Sequence, residues 1–334
     1  FDMEQVVVFP GGRPPIGLAQ HAYLEPGDEV VYPTPCYPLF ESFIDYVGAT
    51  PVPVPLQEEN GFGLTGAELE PYLSERTKLV YLNFPSNPTG GVASRADLAG
   101  MAEVIRAKAR PDVRVYSDEA YEAILFDGEK HASMVSIPGM EEHTIMASGA
   151  SKTFSWTGAR CGWAIYPTVA EAKVMRRLNI NYFASIPPYN QIGVNTALES
   201  PQSPPAIARM VEAFERRRDI VVAGLNGIEG ITCQNPLGAI YVFPNNSGVL
   251  ESLGAFDHVD GLPAEVKGRS SPATLYQLFL LCRYRVATMD RRSFGILGSD
   301  GELYLRISIA TGQDDLVEAI DRIGIAAKDA GGFT

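Results

Sequence analysis

The chain is poor in the side chains that form disulfides and metal centres. Its 334 residues include four cysteines and four histidines. Cys36, Cys161, Cys233 and Cys282 lie far apart, with neither a CxxC motif nor the spacing of Cys/His metal ligands. The histidines are equally isolated. We therefore expect reduced, mostly buried cysteines, and the sequence favours neither a zinc site nor a Ser/His/Asp triad.

The chain also has little positive charge and no long apolar run. Its 27 Lys and Arg residues are outnumbered by 40 Asp and Glu residues, which gives a formal net charge of -13 at pH 7. Such a charge repels phosphate backbones, so nucleic acid is not an expected partner. No apolar run reaches the length of about 20 residues that spans a bilayer, and the N-terminus lacks the features of a signal peptide. We therefore predict a cytoplasmic protein without a membrane partner.

A regular alternation of strands and helices dominates the sequence from residue 5 to about residue 165. Short β-branched and aromatic runs alternate with amphipathic segments of helical length, such as Ala96 to Ala109. This pattern predicts an α/β fold of three layers, in which a mainly parallel mixed sheet is flanked by helices. The predicted strands span residues 5–9, 29–33, 51–56, 78–84, 113–118, 144–148 and 161–166.

A change of texture after Pro205 indicates a second, smaller unit. A long amphipathic segment follows it, with a length that suits a strut between domains. The segment 244–271, rich in Gly, Asn and Ser, is predicted to form a loop or an insertion. The predicted strands of this unit lie near 239–243, 285–289 and 303–310, and its predicted helices near 272–282 and 313–330.

The chain is long enough for two domains. We predict a large domain at residues 1–205 and, at residues 206–334, the interdomain helix with a smaller C-terminal α+β domain. A single large α/β domain with a smaller appendage fits the length equally well.

One lysine lies in a segment that reads SGASKTFSWTGARCGW, from Ser148 to Trp163. Lys152 follows a predicted strand and precedes a segment of helical length, which places it at a strand end. A lysine that forms an imine needs a desolvated site with a polar rim, because its amine is nucleophilic only when neutral. Arg160 could hold a phosphate bidentately, and Ser151 adds a hydroxyl. The alternative interpretation, a solvated surface lysine, fits this Ser- and Gly-rich turn poorly.

An aspartate ends the predicted strand that leads into the letters SDEAYE. Asp118 lies at the carboxyl end of this strand, where doubly wound folds bind ligands, and Tyr121 follows shortly after. There the carboxylate could pair with a pyridinium nitrogen and keep it protonated, while the tyrosine hydroxyl could donate to a phenolate oxygen. The same letters also suit a helix N-cap with acidic residues in its first turn, and the two interpretations are compatible.

A turn that reads NFPSNPTGG, from Asn83 to Gly91, follows another predicted strand. Generic turn chemistry accounts for most of its Asn, Pro and Gly residues. The functional interpretation places the side-chain amide of Asn87 beside the same phenolate oxygen. Seen alone, this motif is only moderately specific.

Taken together and in this order, these segments resemble the signature segments of class I and II aminotransferases, in the fold-type I group of pyridoxal-phosphate enzymes. The segments are NPTGG, SDEAYE and SKTFSWTGARCGW. The resemblance covers nearly the whole chain, through GDEVVYPTPCYP, NPLGAIYVF and YLRISIA. It implies a transaminase that moves the α-amino group of an amino acid to a 2-oxo acid, with pyridoxal 5'-phosphate as cofactor, within a homodimer.

The resemblance assigns five side chains to the ring of this cofactor. It makes Lys152 the Schiff-base lysine and catalytic proton shuttle, and Asp118 the partner of the pyridinium nitrogen. Tyr121 and Asn87 become ligands of the phenolate oxygen. Tyr37 matches the aromatic residue that stacks on the ring.

The resemblance also implies residues for the cofactor's phosphate and for the substrate. Arg160 becomes a phosphate ligand, with Ser151 beside it. Arg306 matches the arginine that holds the substrate's α-carboxylate in a bidentate pair, next to Asn87. The alternative interpretation of Arg306 is a strand residue exposed to solvent. The phosphate-cradling turn, at a helix N-terminus, matches Gly11, Gly12 and Arg13.

The chain departs from the family pattern in two places. Many members have a serine three residues before the lysine, where this chain has Gly149. We expect the corresponding phosphate hydrogen bond to be lost, or supplied by Ser148 or Ser151. The chain begins with Phe1, close to a predicted strand, and we interpret it as a fragment or a truncated chain. The resemblance implies that the absent N-terminal segment supplies an arm to the partner subunit, a tyrosine for the partner's phosphate and a cover for the substrate.

Other interpretations stay open on the sequence alone. Lyases and synthases of the same fold share these motifs but catalyse a different reaction. The chain could also be a non-catalytic, ligand-sensing domain of a regulator, or an inactive remnant. The substrate is assigned no further than an α-amino acid.

Overall fold

A computed structural model describes residues 1–298, 303–329 and 331–333. Within these residues the strands form one seven-stranded and one three-stranded sheet. The strands are β1 (Val6–Phe9), β2 (Glu29–Thr34), β3 (Thr50–Pro55), β4 (Thr77–Asn83), β5 (Arg114–Asp118), β6 (Thr144–Gly149), β7 (Gly162–Ile165), β8 (Tyr241–Val242), β9 (Met289–Asp290) and β10 (Leu305–Ser308).

Helices cover both sheets. Among the described residues, none of them has the length and apolar character required to cross a bilayer. They are α1 (Pro14–Tyr23), α2 (Leu39–Ser42), α3 (Ile44–Val47), α4 (Gly66–Leu69), α5 (Arg95–Lys108), α6 (Ala150–Thr153), α7 (Val169–Phe183), α8 (Pro188–Glu199), α9 (Ser203–Asn226), α10 (Ser247–Ser252), α11 (Ala255–Asp260), α12 (Ala264–Lys267), α13 (Pro272–Tyr284) and α14 (Gln313–Ala326).

The seven-stranded sheet has the order β1-β7-β6-β5-β4-β2-β3. The strands from β3 to β6 in this order run parallel to one another, whereas β7 pairs antiparallel with both β6 and β1. This mainly parallel mixed sheet confirms the predicted fold class. Each of its predicted strands also agrees with the observed strand to within one residue at either end.

The central strands of this sheet are buried on both faces, because successive side chains of a strand point in opposite directions. Tyr81 and Tyr116 pack on one face with α1 and α7. Val80 and Val115 pack on the other face with α5. The helices on the two faces produce the predicted arrangement of three layers.

Helix α5 shows how local sequence forms these covering helices. Ser94 accepts a hydrogen bond from the N–H of Asp97, and this cap satisfies a donor that the first turn leaves free. Leu98, Met101 and Ile105 recur at helical spacing and are buried against the sheet.

The three-stranded sheet has the order β8-β10-β9 and is antiparallel. It shares a core with α9, α13 and α14. The predicted strand at 285–289 is wrong except for its last residue. Arg285 takes the left-handed conformation, with φ 59°, as the C-terminal cap of α13, and the strand begins only at Met289.

The segment 244–271 forms three short helices, α10 to α12, in place of the predicted loop. Most of its Gly and Asn residues cap the ends of these helices. Gly254 precedes α11 in the left-handed conformation, and Asn245 Oδ1 accepts a hydrogen bond from the N–H of Ser247 at the start of α10. Buried Leu250 then fixes α10 on the core of the small sheet.

The long helix α9 begins at Ser203, close to the predicted domain boundary at residue 205. The core of the small sheet also takes in Tyr121 and Phe126, from the segment that follows β5. The division into residues 1–205 and 206–334 therefore stays a prediction.

Candidate active site

Three strand ends meet at one edge of the seven-stranded sheet. Asn83, the last residue of β4, pairs with Asp118, the last residue of β5, and Asp118 pairs with Ala147 of β6. Because these strands are parallel, the segments that follow them leave the sheet at the same edge. The three motifs of the sequence therefore lie side by side.

A cavity of about 530 Å³ opens at this edge. Tyr241 and Arg306, from the three-stranded sheet, line it together with residues of the large sheet. Of the predicted site residues, all of which are described, Gly11 lies outside the lining. The predicted site residues that line the cavity are Gly12, Arg13, Tyr37, Asn87, Asp118, Tyr121, Ser151, Lys152, Arg160 and Arg306.

Lys152 lies in α6, directly after β6. The N–H of Ala150 donates to the carbonyl of Cys161 at 3.1 Å, which ties this turn to the chain beside β7. A side chain at Gly149 would approach the same carbonyl oxygen at 3.1 Å, so the close contact favours glycine. Lys152 Nζ lies 5.6 Å from the centre of the Tyr121 ring. Lys152 is half-buried, and its amine lies beside this aromatic ring.

Burial controls the charge of Asp118. Its Oδ1 accepts a hydrogen bond from the N–H of Ala120 at 3.1 Å. Burial raises the pKa of Asp118 from 3.8 to about 7, against the lowering effect of this hydrogen bond. A cation beside the carboxylate restores its charged form. The residue therefore fits a cationic ring nitrogen.

Asn83 fixes Asn87, although no sequence signal singles out Asn83 as a site residue. Its Oδ1 accepts a hydrogen bond from the N–H of Asn87 at 2.9 Å, and its Nδ2 donates to the carbonyl of Asp118 at 3.1 Å. One buried side chain therefore joins two of the motifs. Asn87 Oδ1 in turn accepts a hydrogen bond from Arg306 at 2.8 Å, so its Nδ2 group is the donor that it can offer a ligand.

Arg306 is held between two aromatic rings. Its guanidinium carbon lies 4.2 Å from the centre of the Tyr241 ring and 4.6 Å from that of Phe294. Burial lowers its pKa. Its Nε is buried without a hydrogen-bond partner among the described residues. A half-buried guanidinium with an unused donor suits a carboxylate ligand, and the alternative of a solvent-exposed strand residue does not match the structure.

Two arginines and a glycine turn form a basic part of the cavity wall near the start of α1. Arg160 donates to the carbonyl of Thr157 at 2.8 Å. Gly11 has φ 97°, and a side chain there would overlap the Arg160 guanidinium, so the glycine makes room for this arginine. Gly12 and Arg13 line the cavity just before the helix begins. Main-chain N–H groups and cations together fit an anionic group.

The two serines beside Gly149 differ in how their hydroxyls are used. Ser148 Oγ donates to Glu122 Oε1 at 2.8 Å. Its proton is therefore committed to a neighbouring carboxylate. Both serines line the cavity, so the commitment of the Ser148 proton makes Ser151 the better candidate to supply the hydrogen bond expected of the family's serine.

Tyr241 is a lining residue that sequence reasoning missed. Its hydroxyl oxygen lies 3.0 Å from that of Tyr121. It belongs to a strand of two residues and pairs with Ser308, which is close to Arg306 in β10. No turn signal marks such a residue, and only knowledge of the β8–β10 pairing could have selected it.

A polar cluster next to the site can be compared with a metal centre. Glu119, Glu122 and His131 offer ligand atoms within 4.8 Å of one another. However, Glu119 already accepts hydrogen bonds from Ser117 at 2.9 Å and Ser133 at 2.6 Å, and pairs with His131 at 2.8 Å. The cluster is a satisfied hydrogen-bond network, and we assign no metal to it.

Comparisons with known proteins show the family of the chain. The family model described as aminotransferase class I and II matches residues 1–323. An aspartate aminotransferase of Pyrococcus horikoshii is 33% identical over 324 residues, which cover 96% of this chain and 75% of that protein. An aspartate/prephenate aminotransferase of Cereibacter sphaeroides is 35% identical over 320 residues, with the same coverage of 96% and 75%. The crystal structure of an aromatic aminotransferase from Pyrococcus horikoshii is similar with a TM-score of 0.84 at 31% identity, and the match covers 98% of this chain and 80% of that one.

Proposed function

The chain belongs to the class I and II aminotransferase family and is an aminotransferase, and from this premise we propose that it works with pyridoxal 5'-phosphate bound at Lys152. The reaction transfers the α-amino group of an amino acid to a 2-oxo acid. One observation carries the proposal: Lys152, Asp118 and Arg306 line the same cavity. They supply an amine, a partner for a ring nitrogen and a partner for a carboxylate.

The side chains around the cavity fit the ring of this cofactor. Asp118, with a pKa that burial raises to about 7, gains from a cationic nitrogen beside it. Tyr37 offers an aromatic face. Tyr121 and Asn87 offer a hydroxyl and an amide to the ring's phenolate oxygen.

The basic part of the cavity fits the phosphate of the cofactor. Arg160 supplies a guanidinium, and the turn of Gly12 and Arg13 supplies main-chain N–H groups. Ser151 supplies a hydroxyl. Gly11 contributes indirectly, because its lack of a side chain leaves space for Arg160.

The residues of the chain hold the substrate and move its protons. When bound, pyridoxal phosphate supplies a sink for the electrons released at the substrate's Cα. Lys152 Nζ is the base that takes the proton from this Cα. Arg306, with Asn87, holds the substrate's α-carboxylate and so fixes the direction of the Cα–H bond.

An absorption spectrum of the purified chain tests the cofactor and the reaction together. Added pyridoxal phosphate should give a visible band that is lost with an amino acid alone and returns with a 2-oxo acid. A product that forms from the amino acid without any 2-oxo acid would indicate a lyase. A band that persists with every amino acid would indicate a ligand sensor, and the absence of a band would overturn the proposed cofactor.

We propose further that the preferred amino donor carries a second carboxylate. Relatives of the chain are named for aspartate, and a further guanidinium lines the cavity. Arg13 lines the cavity, and its guanidinium carbon lies 5.9 Å from the centre of the Tyr37 ring. A cation at this place could pair with a distal carboxylate.

Arg13→Gln tests whether the preferred amino donor is a dicarboxylic or an aromatic amino acid. It should lower kcat/KM for aspartate by about tenfold or more, as expected for a lost charged hydrogen bond, and leave the value for phenylalanine unchanged. An equal loss for both amino acids would assign the side chain to the phosphate. A native preference for phenylalanine would overturn the dicarboxylic donor.

A homodimer and a cytoplasmic location complete the proposal. An apolar groove of about 650 Å³, whose wall includes Phe43, Tyr46 and Phe183, supports an interface, and Tyr46 is 75% exposed. Sedimentation velocity should give twice the chain mass of 36.2 kDa. Tyr46→Glu should reduce this mass to that of one chain, and a native monomer would contradict the proposal. The location stays a prediction from the sequence.

A further inference from the structure

We propose that Tyr241 is a positioning residue for the transamination site: its hydroxyl directs the proton of Tyr121 into the cavity, and its ring holds Arg306. The inference rests on the proposed function, since it assigns to Tyr121 a bound cofactor oxygen as its acceptor. It adds to the site a second residue of the small sheet, beside Arg306.

The two tyrosines form an isolated pair of hydroxyls. Their oxygens are 3.0 Å apart, and the side chains of Tyr121 and Tyr241 belong to residues that are only 4% and 7% exposed. Their rings meet edge to face, with centres 5.9 Å apart. In the part of the chain that the structure describes, each hydroxyl has the other as its hydrogen-bond partner. One proton therefore lies between the oxygens, and the other belongs to whichever hydroxyl accepts.

Either Tyr121 or Tyr241 can be the donor within the pair, and an anionic oxygen next to Tyr121 selects one of these two arrangements. Tyr121 can donate to such an oxygen only when Tyr241 is the donor within the pair. Hydrogen bonds in series polarise one another, so the bond from Tyr241 makes Tyr121 a stronger donor. Tyr121 is also faced by Asp118, Lys152 and Arg306, whose charges act on its proton from other sides.

The ring of Tyr241 has a second task, which a substitution can separate from the first. The guanidinium carbon of Arg306 lies 4.2 Å from the ring centre, within the range of a cation–π contact. Phenylalanine at position 241 keeps this ring and loses the hydroxyl. Leucine loses both.

Tyr241→Phe and Tyr241→Leu test the two tasks with different readouts. In Tyr241→Phe, the pH at which the visible absorbance of bound pyridoxal phosphate changes should rise by about half a unit, because a weaker donor leaves the ring's anionic oxygen with a higher proton affinity. KM for the amino donor should not change. Tyr241→Leu should show the same rise and, in addition, a KM about fivefold higher, as expected for a lost cation–π contact.

Tyr121→Phe, alone and combined with Tyr241→Phe, tests whether Tyr241 acts through Tyr121. The double variant should titrate like Tyr121→Phe, whereas additive shifts would overturn the inference. Tyr276→Phe is the control, because its buried hydroxyl in the same core has no partner among the described residues. It should leave both readouts unchanged.

A native protein without the visible band would overturn the proposed function itself, while a native band with an unchanged titration in Tyr241→Phe would overturn the role of Tyr241 alone.

Discussion

The two walls of the active-site cavity hold their side chains by different means. On the wall from the seven-stranded sheet, polar groups follow strand ends and are fixed by hydrogen bonds to the backbone. Asn83 is an example, since it bonds the main chain of both Asn87 and Asp118. On the wall from the three-stranded sheet, Tyr241 and Arg306 project from within strands and are held by ring stacking.

Hydrogen bonds between the walls set their relative position. Arg306 donates to Asn87 at 2.8 Å, and the hydroxyls of Tyr121 and Tyr241 lie 3.0 Å apart. The first wall can keep its geometry by its own bonds, whereas the second is aligned through these contacts. We therefore expect changes on the first wall to remove chemistry, and a change at Arg306 on the second wall to alter substrate binding.

The largest effect is expected from Lys152, on the first wall. Lys152→Ala removes the proposed base for the Cα proton, so the transamination rate should fall by about a thousandfold or more. Mass spectrometry after borohydride treatment should show no cofactor attached to the chain. Lys130→Ala, at an exposed lysine, is the control and should behave like the native protein. Cofactor still attached in Lys152→Ala would contradict the assignment.

The second effect concerns Asp118 and the stability of the chain without cofactor. Burial raises the pKa of Asp118 from 3.8 to about 7 in the folded chain. Between these values the folded chain binds more protons than the unfolded chain, so the free energy of unfolding falls as the pH rises through this range. Above this pH range, the charged Asp118 lowers the free energy of unfolding by at most about 4 kcal/mol, since one pKa unit corresponds to about 1.4 kcal/mol.

Urea unfolding of Asp118→Asn at about pH 4 and about pH 8 measures this cost. The variant should resemble the native chain at the lower pH and be more stable than it at the higher pH. Asp127→Asn is a control of opposite sign, because the hydrogen bond from Arg218 lowers the pKa of Asp127. That variant should lose stability at the higher pH. Equal stabilities of Asp118→Asn and the native chain at the higher pH would refute the role of burial at Asp118.

On the second wall, Arg306→Ala should mainly raise KM. The lost bidentate partner of the α-carboxylate should increase KM by about a hundredfold for every amino acid, with a smaller change in kcat. Steady-state kinetics with several amino acids measure both constants. Arg322→Ala, at an arginine of α14 paired with Glu318, is the control. A loss confined to kcat would show that the second wall takes part in the chemistry and would break the comparison.

The difference between the walls also explains what the sequence could predict. Asp118 and Lys152 follow parallel strands with clear patterns, and Lys152 lies in a turn whose Gly and Ser residues encode a particular backbone shape. Tyr241 has no such local signal, since its role depends on pairing with a strand far along the chain. Asn83 was missed for another reason. It resembles an ordinary turn residue, and one of its hydrogen bonds reaches Asp118 on the neighbouring strand.

The small sheet was also harder to predict at the level of secondary structure. Arg285 belongs to a β-branched and apolar run that suits a strand, yet its conformation ends a helix. In segment 244–271 most of the Gly and Asn residues that suggest a loop cap the ends of short helices instead. In both places tertiary packing decided between local alternatives of similar energy.

The smallest of the expected effects, at Asn83, tests the comparison most directly. Asn83→Ala leaves a buried N–H and a buried carbonyl without their partner, so the free energy of unfolding should fall by about 1 to 2 kcal/mol. Asn226→Ala is the matched control, because Asn226 bonds the N–H and carbonyl of Cys233 at 2.8 and 3.0 Å outside the cavity. Both variants should unfold at lower urea concentration, but only Asn83→Ala should lower kcat, since it frees both Asn87 and Asp118. If kcat is unchanged in both variants, the first wall does not depend on the hydrogen bonds of Asn83. Its rigidity must then come from the strand ends themselves.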